Sequence, residues 1–514
     1  MDTPIAVIST PSTRTPRAAR NQPLRRAGRA TGWSPSVLEP VTESAAFAAT
    51  ASLATVTDCK RPAVAGPRGF GGVRLLEPAA YPPGVATTSR LLVARTRRLE
   101  PGDPRHDRPL LELLPGGSAL SWVRDGAGLV GWGCAARLDV AGPDRFSQAD
   151  AWWRQLCERT EVLDAVGLPG CGPVAFASLA FADDPGDSVL VVPEVVIGER
   201  DGVRWITTIG NGPAEPVDPE PVHPPGTVSY GDGQLSATGY RQAVAEAVRR
   251  MQQPDGLAKV VLAHDLLATT SEPLDARFLL HNLAARYPSC WTFAVDGLVG
   301  ATPELLLERT GYEVRSRVLA GTIWPREGHS TEQLAAELLS SEKNRNEHAY
   351  AAESLAVRLR PFCSDLTAPD EPEVLQLRNV LHLATNVEGK LSDADGRVAT
   401  LLRMAAAVHP TAAVGGTPTA DAVRLISELE GMDRGRYAGP VGWLDGSGNG
   451  ELGVALRCAQ VENAAAPGGE TGRSGGKVRL FAGCGIVPDS DPDLEVAEAE
   501  AKLLPVREAL EGLH

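Results

Sequence analysis

Near the C-terminus, two glutamates and a lysine are spaced so that a helix would bring them together. The stretch SDPDLEVAEAEAKLL (490–504) opens with capping residues followed by a proline, which suits the first position of a helix. At 3.6 residues per turn, Glu495, Glu498 and Lys502 then fall on one face. Such a face can form one wall of a metal site, or it can be a solvated face with an ordinary Glu498–Lys502 ion pair. Both interpretations stay open at this point.

A further carboxylate with the same potential is Glu347, in the segment EKNRNEH. It lies within residues 330–362, whose pattern predicts a long helix with one break and a Ser330–Gln333 capping box at its start. A magnesium ion takes one or two carboxylates together with waters and substrate oxygens. Two helices that each offer a glutamate would suit such an ion if they face each other, which the spacing alone does not decide.

Three glycine-rich segments occur in the C-terminal part of the chain: HPTAAVGGTP (409–418), RGRYAGPVGW (434–443) and AGCGIV (482–487). Glycine lets a backbone approach a ligand closely and leaves its N–H groups accessible to an anion. Glycine also marks ordinary turns between strands. The segments therefore indicate either an anion-binding pocket or a set of tight connections.

Composition excludes several classes of function. The 514 residues are 43% hydrophobic and 22% charged, which is typical of a globular protein. The formal net charge of -14 argues against a general nucleic-acid binder, although a local pocket can still be basic. The eight cysteines show no CxxC spacing and predict reduced thiols in a cytoplasmic protein. The nine histidines show no HExxH spacing, so no zinc site is expected, and no apolar run has transmembrane length.

The order of the segments predicts an α+β fold with large, mostly antiparallel β-sheets and helices packed outside them. Residues 1–85 are rich in Pro, Ala and Arg and predict a disordered N-terminal extension. Residues 86–232 predict a β-meander, with a helix at 149–166. Residues 233–512 mix strands and helices, and the segment 463–477 predicts a flexible hairpin insertion.

At this point the second half of the chain resembles the chorismate-utilising enzyme family, which includes isochorismate synthases, salicylate synthases and the first components of anthranilate and aminodeoxychorismate synthases. The resemblance runs from about residue 235 to 510 in family order. It implies the fold of anthranilate synthase component I and chorismate as the substrate. The matching blocks are KVVLAHD, GATPELLLER, LAGT, SEKNRNEH, LHLAT, HPTAAVGG, RGRYAGPVGW, ALRCA, AGCGIV and SDPDLEVAEAEAK.

The resemblance also implies a role for each matched polar residue. A magnesium cofactor would bind Glu347 and Glu498, and Glu495 through a water molecule, and would hold the ring carboxylate of the substrate. A guanidinium can grip a carboxylate with two hydrogen bonds, which suits Arg457 beside Tyr437 at the enolpyruvyl group. The further substrate-binding residues implied by the resemblance are Gly321, Thr322, His382, Thr385, Ala413, Gly483, Gly485 and Lys502.

Within that family, three positions favour the members that add water. Lys259 stands where ammonia-using members usually have Gln, and it would act as the general base on water. Ala320 and Ala413 stand where other branches carry a nucleophilic lysine or a threonine. Glu304 would be the general acid, provided that its pKa is raised. We therefore expect a reversible isomerisation of chorismate to isochorismate, which supplies menaquinone, siderophore or salicylate synthesis.

Two alternatives stay open, a salicylate synthase and a non-catalytic chorismate-binding protein. The expected enzyme is a cytoplasmic monomer without a glutamine amidotransferase subunit, a nucleic-acid partner or a membrane. The chain also departs from the family at several positions. Asn344 replaces a frequent acidic residue, His264 a frequent arginine and Cys484 a usual alanine. From its position, Cys484 is expected to make the protein sensitive to thiol-alkylating reagents.

Overall fold

A computed structural model describes residues 92–117, 119–210, 219–378, 380–393, 398–462 and 475–512. The predicted N-terminal extension and most of the predicted hairpin insertion lie outside the described residues. Within the described part, no helix is both long enough and apolar enough to cross a membrane.

The described residues form eight α-helices, two short 3₁₀ helices and 23 strands. The α-helices are α1 Arg145–Glu158, α2 Ala237–Met251, α3 Ala276–Arg286, α4 Thr331–Ser340, α5 Glu342–Leu359, α6 Leu401–Val408, α7 Thr419–Glu430 and α8 Pro492–Glu511, and the 3₁₀ helices are Leu110–Leu113 and Arg360–Phe362. The strands are β1 Leu92–Arg98, β2 Leu120–Arg124, β3 Ala127–Trp132, β4 Ala136–Val140, β5 Thr160–Asp164, β6 Val174–Ser178, β7 Ser188–Val192, β8 Val195–Arg200, β9 Val203–Gly210, β10 Val228–Asp232, β11 Lys259–Thr270, β12 Trp291–Val295, β13 Leu298–Thr302, β14 Leu305–Thr310, β15 Glu313–Ile323, β16 Cys363–Thr367, β17 Glu373–Leu377, β18 Val380–Leu391, β19 Gly416–Thr417, β20 Pro440–Asp445, β21 Gly450–Val454, β22 Cys458–Glu462 and β23 Lys477–Ile486.

The strands form two large sheets within the described residues. The first runs in the order β10-β11-β23-β22-β13-β12-β2-β3-β8-β9-β1-β5, with β19 paired to β11. The second runs β16-β18-β15-β14-β21-β20-β6-β7-β4, with β17 paired to β18. Every described pairing except that of β1 with β5 is antiparallel, which confirms the predicted class of fold.

Strands from both predicted regions of the chain occur in each sheet. In the first sheet β12 pairs with β2, and in the second β20 pairs with β6. One hydrophobic core joins the two sheets and includes Trp122 from the first and Trp443 from the second. Glu451 of the second sheet accepts hydrogen bonds from the indole N–H groups of Trp122 (2.9 Å) and Trp291 (3.1 Å) of the first. The regions 86–232 and 233–512 therefore share their sheets.

Local sequence explains several connections. Three hairpins of the first sheet turn on Asp-Gly pairs at 125–126, 201–202 and 296–297, where both residues have positive φ. This is the geometry of the two-residue turn that matches strand twist. The predicted break in the long helix falls at Ser341, whose backbone is extended and whose hydroxyl caps α5. The predicted Ser330–Gln333 capping box is present at the start of α4, and Asp491 caps α8.

Some local predictions are wrong. The helix predicted over 149–166 ends at Glu158, because residues 160–164 pair with β1 as the parallel strand β5. Helices α3 and α6 were not predicted. Six described cysteines are free thiols, but Cys134 is disulfide-bonded, so the prediction of reduced thiols is wrong at that position.

Candidate active site

A cavity of about 280 Å³ lies where β11 and β23 of the first sheet approach β15 and β18 of the second, with α5 and α8 beside them. It contains every site residue expected from the sequence except Thr385. The predicted residues that line it are Lys259, Glu304, Gly321, Thr322, Glu347, His382, Ala413, Tyr437, Arg457, Gly483, Gly485, Glu495, Glu498 and Lys502. Residues that are far apart in sequence therefore meet in one pocket.

Lys259 opens β11 and is buried, and its Nζ donates to Glu347 Oε1 of α5 at 2.9 Å. Strand pairing places Gly485 of β23 opposite Val261, next to this ion pair. A Cβ on Gly485 would lie 2.8 Å from Lys259 Cε and 3.0 Å from Glu347 Oε1. The absence of a side chain at Gly485 thus leaves room for the lysine and the glutamate to meet.

Glu304 follows β13 in the connection to β14 and is 4% exposed. Burial raises the pKa of its carboxyl to about 8, and the positive charge of Lys259 only partly opposes that rise. The backbone holds the residue in place, because its N–H donates to Thr302 Oγ1 (3.2 Å) and its carbonyl accepts from the N–H of Val454 (3.1 Å). At neutral pH this carboxyl holds a proton that it can donate.

The C-terminal helix α8 forms an acidic wall of the cavity, as the spacing of its residues predicted. Lys502 Nζ donates to Glu498 Oε1 at 2.7 Å and to the carbonyl oxygen of Gly483 at 3.0 Å. The charge of Lys502 lowers the pKa of Glu498. Glu495 is buried, accepts a hydrogen bond from the Ser490 hydroxyl at 2.7 Å, and has a pKa raised by burial. The wall therefore combines carboxylates in different electrostatic settings.

The ligand atoms of Glu495, Glu498 and Cys484 lie within 4.8 Å of one another. Magnesium prefers oxygen ligands, and burial raises the pKa of the Cys484 thiol, so this sulfur is a poor ligand for it. The two carboxylates, with Glu347 on the same cavity, are an oxygen donor set that fits a magnesium ion. Glu347 lines the cavity but does not belong to this close group, so the expected set of magnesium ligands stays a prediction.

The wall formed by β15 and β18 is shaped by a bulge at Gly321. Ala320 pairs with Leu383 and Thr322 with His382, so the register shifts across Gly321, whose φ is +74°. The Thr322 hydroxyl lies 3.1 Å from His382 Nδ1. Burial, followed by the nearby charge of Arg457, lowers the pKa of His382 to about 3, so its ring is neutral. Asn344 Oδ1 accepts the Thr322 N–H at 3.3 Å, which gives this departure from the family a structural role.

Arg457 and Tyr437 form the basic and aromatic part of the cavity. Arg457 has φ of +49°, and within the described residues its guanidinium has no hydrogen-bond partner. Tyr437 is buried and stacks on Phe481, with ring centroids 5.0 Å apart and an interplanar angle of 7°. A free guanidinium beside a fixed phenol is suited to holding a carboxylate.

Thr385 does not line the cavity, unlike the other residues expected to contact substrate. Its hydroxyl is buried and lies 2.7 Å from His348 Nε2. Side chains alternate between the two faces of a strand, and Thr385 follows His382 by three positions in β18, so the two side chains lie on opposite faces. Thr385 therefore meets His348 of α5, while His382 lines the cavity.

Sequence reasoning missed two cations that line the cavity, Lys343 and Arg434. Arg434 is buried and ion-paired with Glu430, and it donates to the carbonyl oxygens of Val414 (3.1 Å) and Val261 (2.7 Å). Within RGRYAGPVGW, the sequence assigns roles to the glycines and to Tyr437 but none to Arg434. The i,i+4 spacing of Glu430 and Arg434 is the feature of the sequence that could have predicted this ion pair.

The expected reactivity of Cys484 does not agree with the structure. The residue is 1% exposed, and burial strongly raises the pKa of its thiol. Alkylation needs both an accessible sulfur and a thiolate. Cys484 lies under the cavity wall, with Sγ directed at the carbonyl oxygen of Glu495 (3.5 Å).

Comparisons with known proteins show which family this chain resembles. The sequence model of a family described as chorismate binding enzyme matches residues 214–511. A Pseudomonas aeruginosa protein named salicylate biosynthesis isochorismate synthase is 33% identical over 429 residues, which span 77% of this chain and 85% of that protein. The isochorismate synthase DhbC of Bacillus subtilis is 40% identical over 277 residues, which span 51% of this chain and 65% of that protein.

A solved structure shares the fold. The menaquinone-specific isochorismate synthase MenF of Escherichia coli superposes with a TM-score of 0.65 at 24% identity, covering 82% of this chain and 94% of that one. At this identity the likeness supports the arrangement of sheets and helices.

Proposed function

The chain belongs to the family of chorismate-binding enzymes, and we propose that it is a magnesium-dependent isochorismate synthase. The reaction would add water to the ring of chorismate and release the ring hydroxyl as water. Substrate and product are isomers, so the reaction would be reversible. The relatives named above carry names from salicylate and menaquinone pathways, so the similarity supports the reaction rather than one pathway.

The observation that carries the proposal is the pairing of a base and an acid in one cavity. Lys259 and Glu304 both line it, and Glu304 is close enough for the lysine charge to act on its pKa. With its pKa at about 8, Glu304 is protonated at neutral pH, as a general acid must be. Addition of water and departure of a hydroxyl need one group of each kind.

The enolpyruvyl carboxylate and the ring carboxylate of the substrate would be held in different parts of the cavity. Arg457 and Tyr437 would bind the enolpyruvyl carboxylate, because this guanidinium has no acceptor among the described residues. Gly483 and Gly485 line the same cavity, and neither position has room for a side chain, because a Cβ would lie 2.5 Å from the Leu262 carbonyl oxygen at Gly483 and 2.8 Å from Lys259 Cε at Gly485. Ala413 and Ala320 both line the cavity, and their small side chains would leave room for the ring.

Glu347 and Glu498 would hold the magnesium ion, with Glu495 at the same wall. When bound, the ion would supply positive charge that orients the ring carboxylate and offsets the charge developing there. Lys502 is ion-paired with Glu498 and also donates to the Gly483 carbonyl, so it fixes the carboxylate relative to β23.

The proton steps can be assigned to residues of this chain. Lys259 would take a proton from water as the oxygen bonds to the ring carbon next to the carboxylate-bearing carbon. The ring double bonds shift, and the distant hydroxyl leaves with the proton of Glu304. The base gains one proton and the acid loses one, so the chemistry balances and a proton transfer through solvent restores the starting state.

The same residues argue against transfer of ammonia. Lys259 is where ammonia-using members carry Gln, and Ala320 removes the lysine nucleophile of another branch. We therefore propose an enzyme that acts without a glutamine amidotransferase subunit. We also propose that the enzyme is a cytoplasmic monomer whose binding partner is the small-molecule substrate chorismate.

The test is to incubate purified protein with chorismate, with and without Mg²⁺ and without ammonia or glutamine, and to separate the products by chromatography. Isochorismate that forms only with Mg²⁺ and stops at a mixture with chorismate is the expected result. Salicylate with pyruvate would assign the chain to the salicylate synthases. Unchanged chorismate that nevertheless binds to the protein would overturn the proposal in favour of a binding protein.

A further inference from the structure

We propose that Thr385 and His348 are positioning residues. Their hydrogen bonds hold Glu347, the proposed metal ligand, in a fixed position relative to the bulged cavity wall at Gly321. Neither residue lines the cavity. The inference rests on the proposed function, in which Glu347 is a ligand of the magnesium ion. Both residues would act through other groups and make no contact with substrate.

The hydrogen bonds of His348 connect three elements. Its ring is 2% exposed, with Nδ1 lying 3.1 Å from the Ala320 carbonyl oxygen of β15 and Nε2 lying 2.7 Å from Thr385 Oγ1 of β18. A carbonyl oxygen can only accept, so Nδ1 carries the proton. In the neutral ring Nε2 then accepts from the Thr385 hydroxyl. Both ring nitrogens are thus satisfied, which fixes the ring and the helix α5 that carries it.

The contact with Ala320 lies directly beside the bulge. Gly321 follows Ala320, and a Cβ at Gly321 would lie 3.0 Å from the Asn344 carbonyl oxygen and 3.2 Å from Asn344 Cβ. The first turn of α5 therefore packs against the bulge itself. Any shift of α5 would also disturb the hydrogen bond from the Thr322 N–H to Asn344 Oδ1.

The same helix carries Glu347, the residue before His348. Its carboxylate reaches the cavity and accepts from Lys259 at 2.9 Å. The position of the α5 backbone determines where the Glu347 side chain begins. If His348 lost its hydrogen bond, α5 could shift and carry the carboxylate away from its place beside α8 and Lys259. Loss of a hydrogen bond made directly to a metal ligand typically weakens metal binding by about 10- to 100-fold, and an effect that acts through His348 is expected at the lower end of that range.

The experiment compares Thr385→Val, Thr385→Ser and the unsubstituted protein. Valine keeps the shape of threonine but removes the hydroxyl, while serine keeps the hydroxyl. Mn²⁺ is titrated as the metal probe without substrate and followed by electron paramagnetic resonance. We expect the dissociation constant to rise about 10-fold in Thr385→Val and to stay within about twofold in Thr385→Ser. With chorismate, half-saturation by Mg²⁺ should rise by the same factor.

The matched control is Thr207→Val in β9. The Thr207 hydroxyl is equally buried and bonds to the Thr96 hydroxyl at 2.8 Å, in strands of the first sheet that do not line the cavity. This variant should lower the melting temperature as Thr385→Val does, yet bind Mn²⁺ as the unsubstituted protein does. If Thr385→Val does not fold, His348→Asn provides the comparison, because the shorter amide can replace Nδ1 at the Ala320 carbonyl but does not reach the Thr385 hydroxyl.

The outcomes separate the two proposals. Equal Mn²⁺ affinity in Thr385→Val and the unsubstituted protein overturns the positioning role, and so does equal weakening in Thr207→Val. Mn²⁺ affinities in the expected order without turnover of chorismate support the positioning role and overturn the proposed function. If the unsubstituted protein binds no Mn²⁺, both are overturned.

Discussion

Lys259 Nζ and Glu347 Oε1 are 2.9 Å apart, so the expected proton acceptor and an expected metal ligand form an ion pair with each other. The lysine side chain is 3% exposed and the glutamate side chain 18% exposed, so water has little access to form hydrogen bonds with either group in place of its partner. An ammonium group has no lone pair. Lys259 can therefore accept a proton from water only after it has given up its own, and any change in Glu347 is expected to affect this base.

Replacement of Lys259 by methionine tests its role as the base. Lys259→Met keeps most of the side-chain length and removes the amine, so kcat should fall by about 10²- to 10⁴-fold. Glu347 stays available, so Mn²⁺ should still bind. The measurement is kcat with saturating chorismate, with Lys477→Met, an exposed lysine of β23, as the control. A variant that keeps more than about a tenth of the activity would contradict the role.

Gly485→Ala tests the space around the same ion pair. The new methyl group would lie 2.8 Å from Lys259 Cε and 3.0 Å from Glu347 Oε1, so the two side chains must move apart. We expect a lower kcat together with weaker Mn²⁺ binding, while the fold is kept because both contacts are with side chains. Gly231→Ala is the control, since its methyl group would meet nothing within 4 Å. Equal kcat in both variants would show that the ion pair tolerates the displacement.

The pKa of Glu304 predicts how activity depends on pH. The acid must be protonated, and its pKa is raised to about 8, so kcat/KM should fall by about tenfold per unit as pH rises above 8. Glu304→Gln cannot donate this proton and should lose about 10²- to 10⁴-fold in kcat, with chorismate still bound. A pH–rate profile of both proteins is the measurement. A rate that is flat between pH 7 and 9 would argue against Glu304 as the acid.

Glu304 also predicts a dependence of stability on pH. Its folded pKa lies above the unfolded value of 4.5, so between about pH 4.5 and 8 the folded state binds more protons than the unfolded state. The stabilisation is complete below pH 4.5 and is lost as pH rises through about 8. Melting temperatures of Glu304→Gln should therefore change less over this range than those of the unsubstituted protein. Parallel curves would show that the carboxyl titrates normally.

The sequence predicted the members of the site better than their local geometry. The i, i+3, i+7 spacing of Glu495, Glu498 and Lys502 is a property of any helix, so their common face could be predicted without a structure. Thr385 follows His382 by three positions, so alternation along one strand places the two side chains on opposite faces, and LHLAT alone does not show which face meets the cavity.

Burial was the second property that could not be predicted. Cys484 stands between two glycines and was expected to be reactive, yet the packing of α8 on β23 covers its sulfur. Arg434 is next to a glycine and has no role predicted from the sequence, although its side chain is one of the most buried charged groups among the described residues. Exposure depends on which elements cover a residue, and that is a tertiary property.

Cys484 should therefore resist alkylation in the folded protein. Iodoacetamide labelling, followed by mass spectrometry of peptides, should modify the half-buried Cys157 and Cys363 before Cys484. After denaturation all three should react. Rapid labelling of Cys484 in the folded protein, with loss of activity, would show that the cavity wall opens.

Glu430→Gln tests the buried ion pair beneath the cavity. Glu430 accepts from Arg434 and also from the backbone N–H of Ala263 at 2.7 Å, so a neutral amide would leave a buried guanidinium without its counter-charge. Removing one partner of a buried pair typically destabilises a protein by about 3–5 kcal/mol. Thermal and urea unfolding should show a clear loss of stability. Glu428→Gln is the control, because Glu428 pairs at the surface with Arg250, which keeps Glu246 as a partner. If both variants unfold at the same temperature, the buried pair contributes no more than the exposed one.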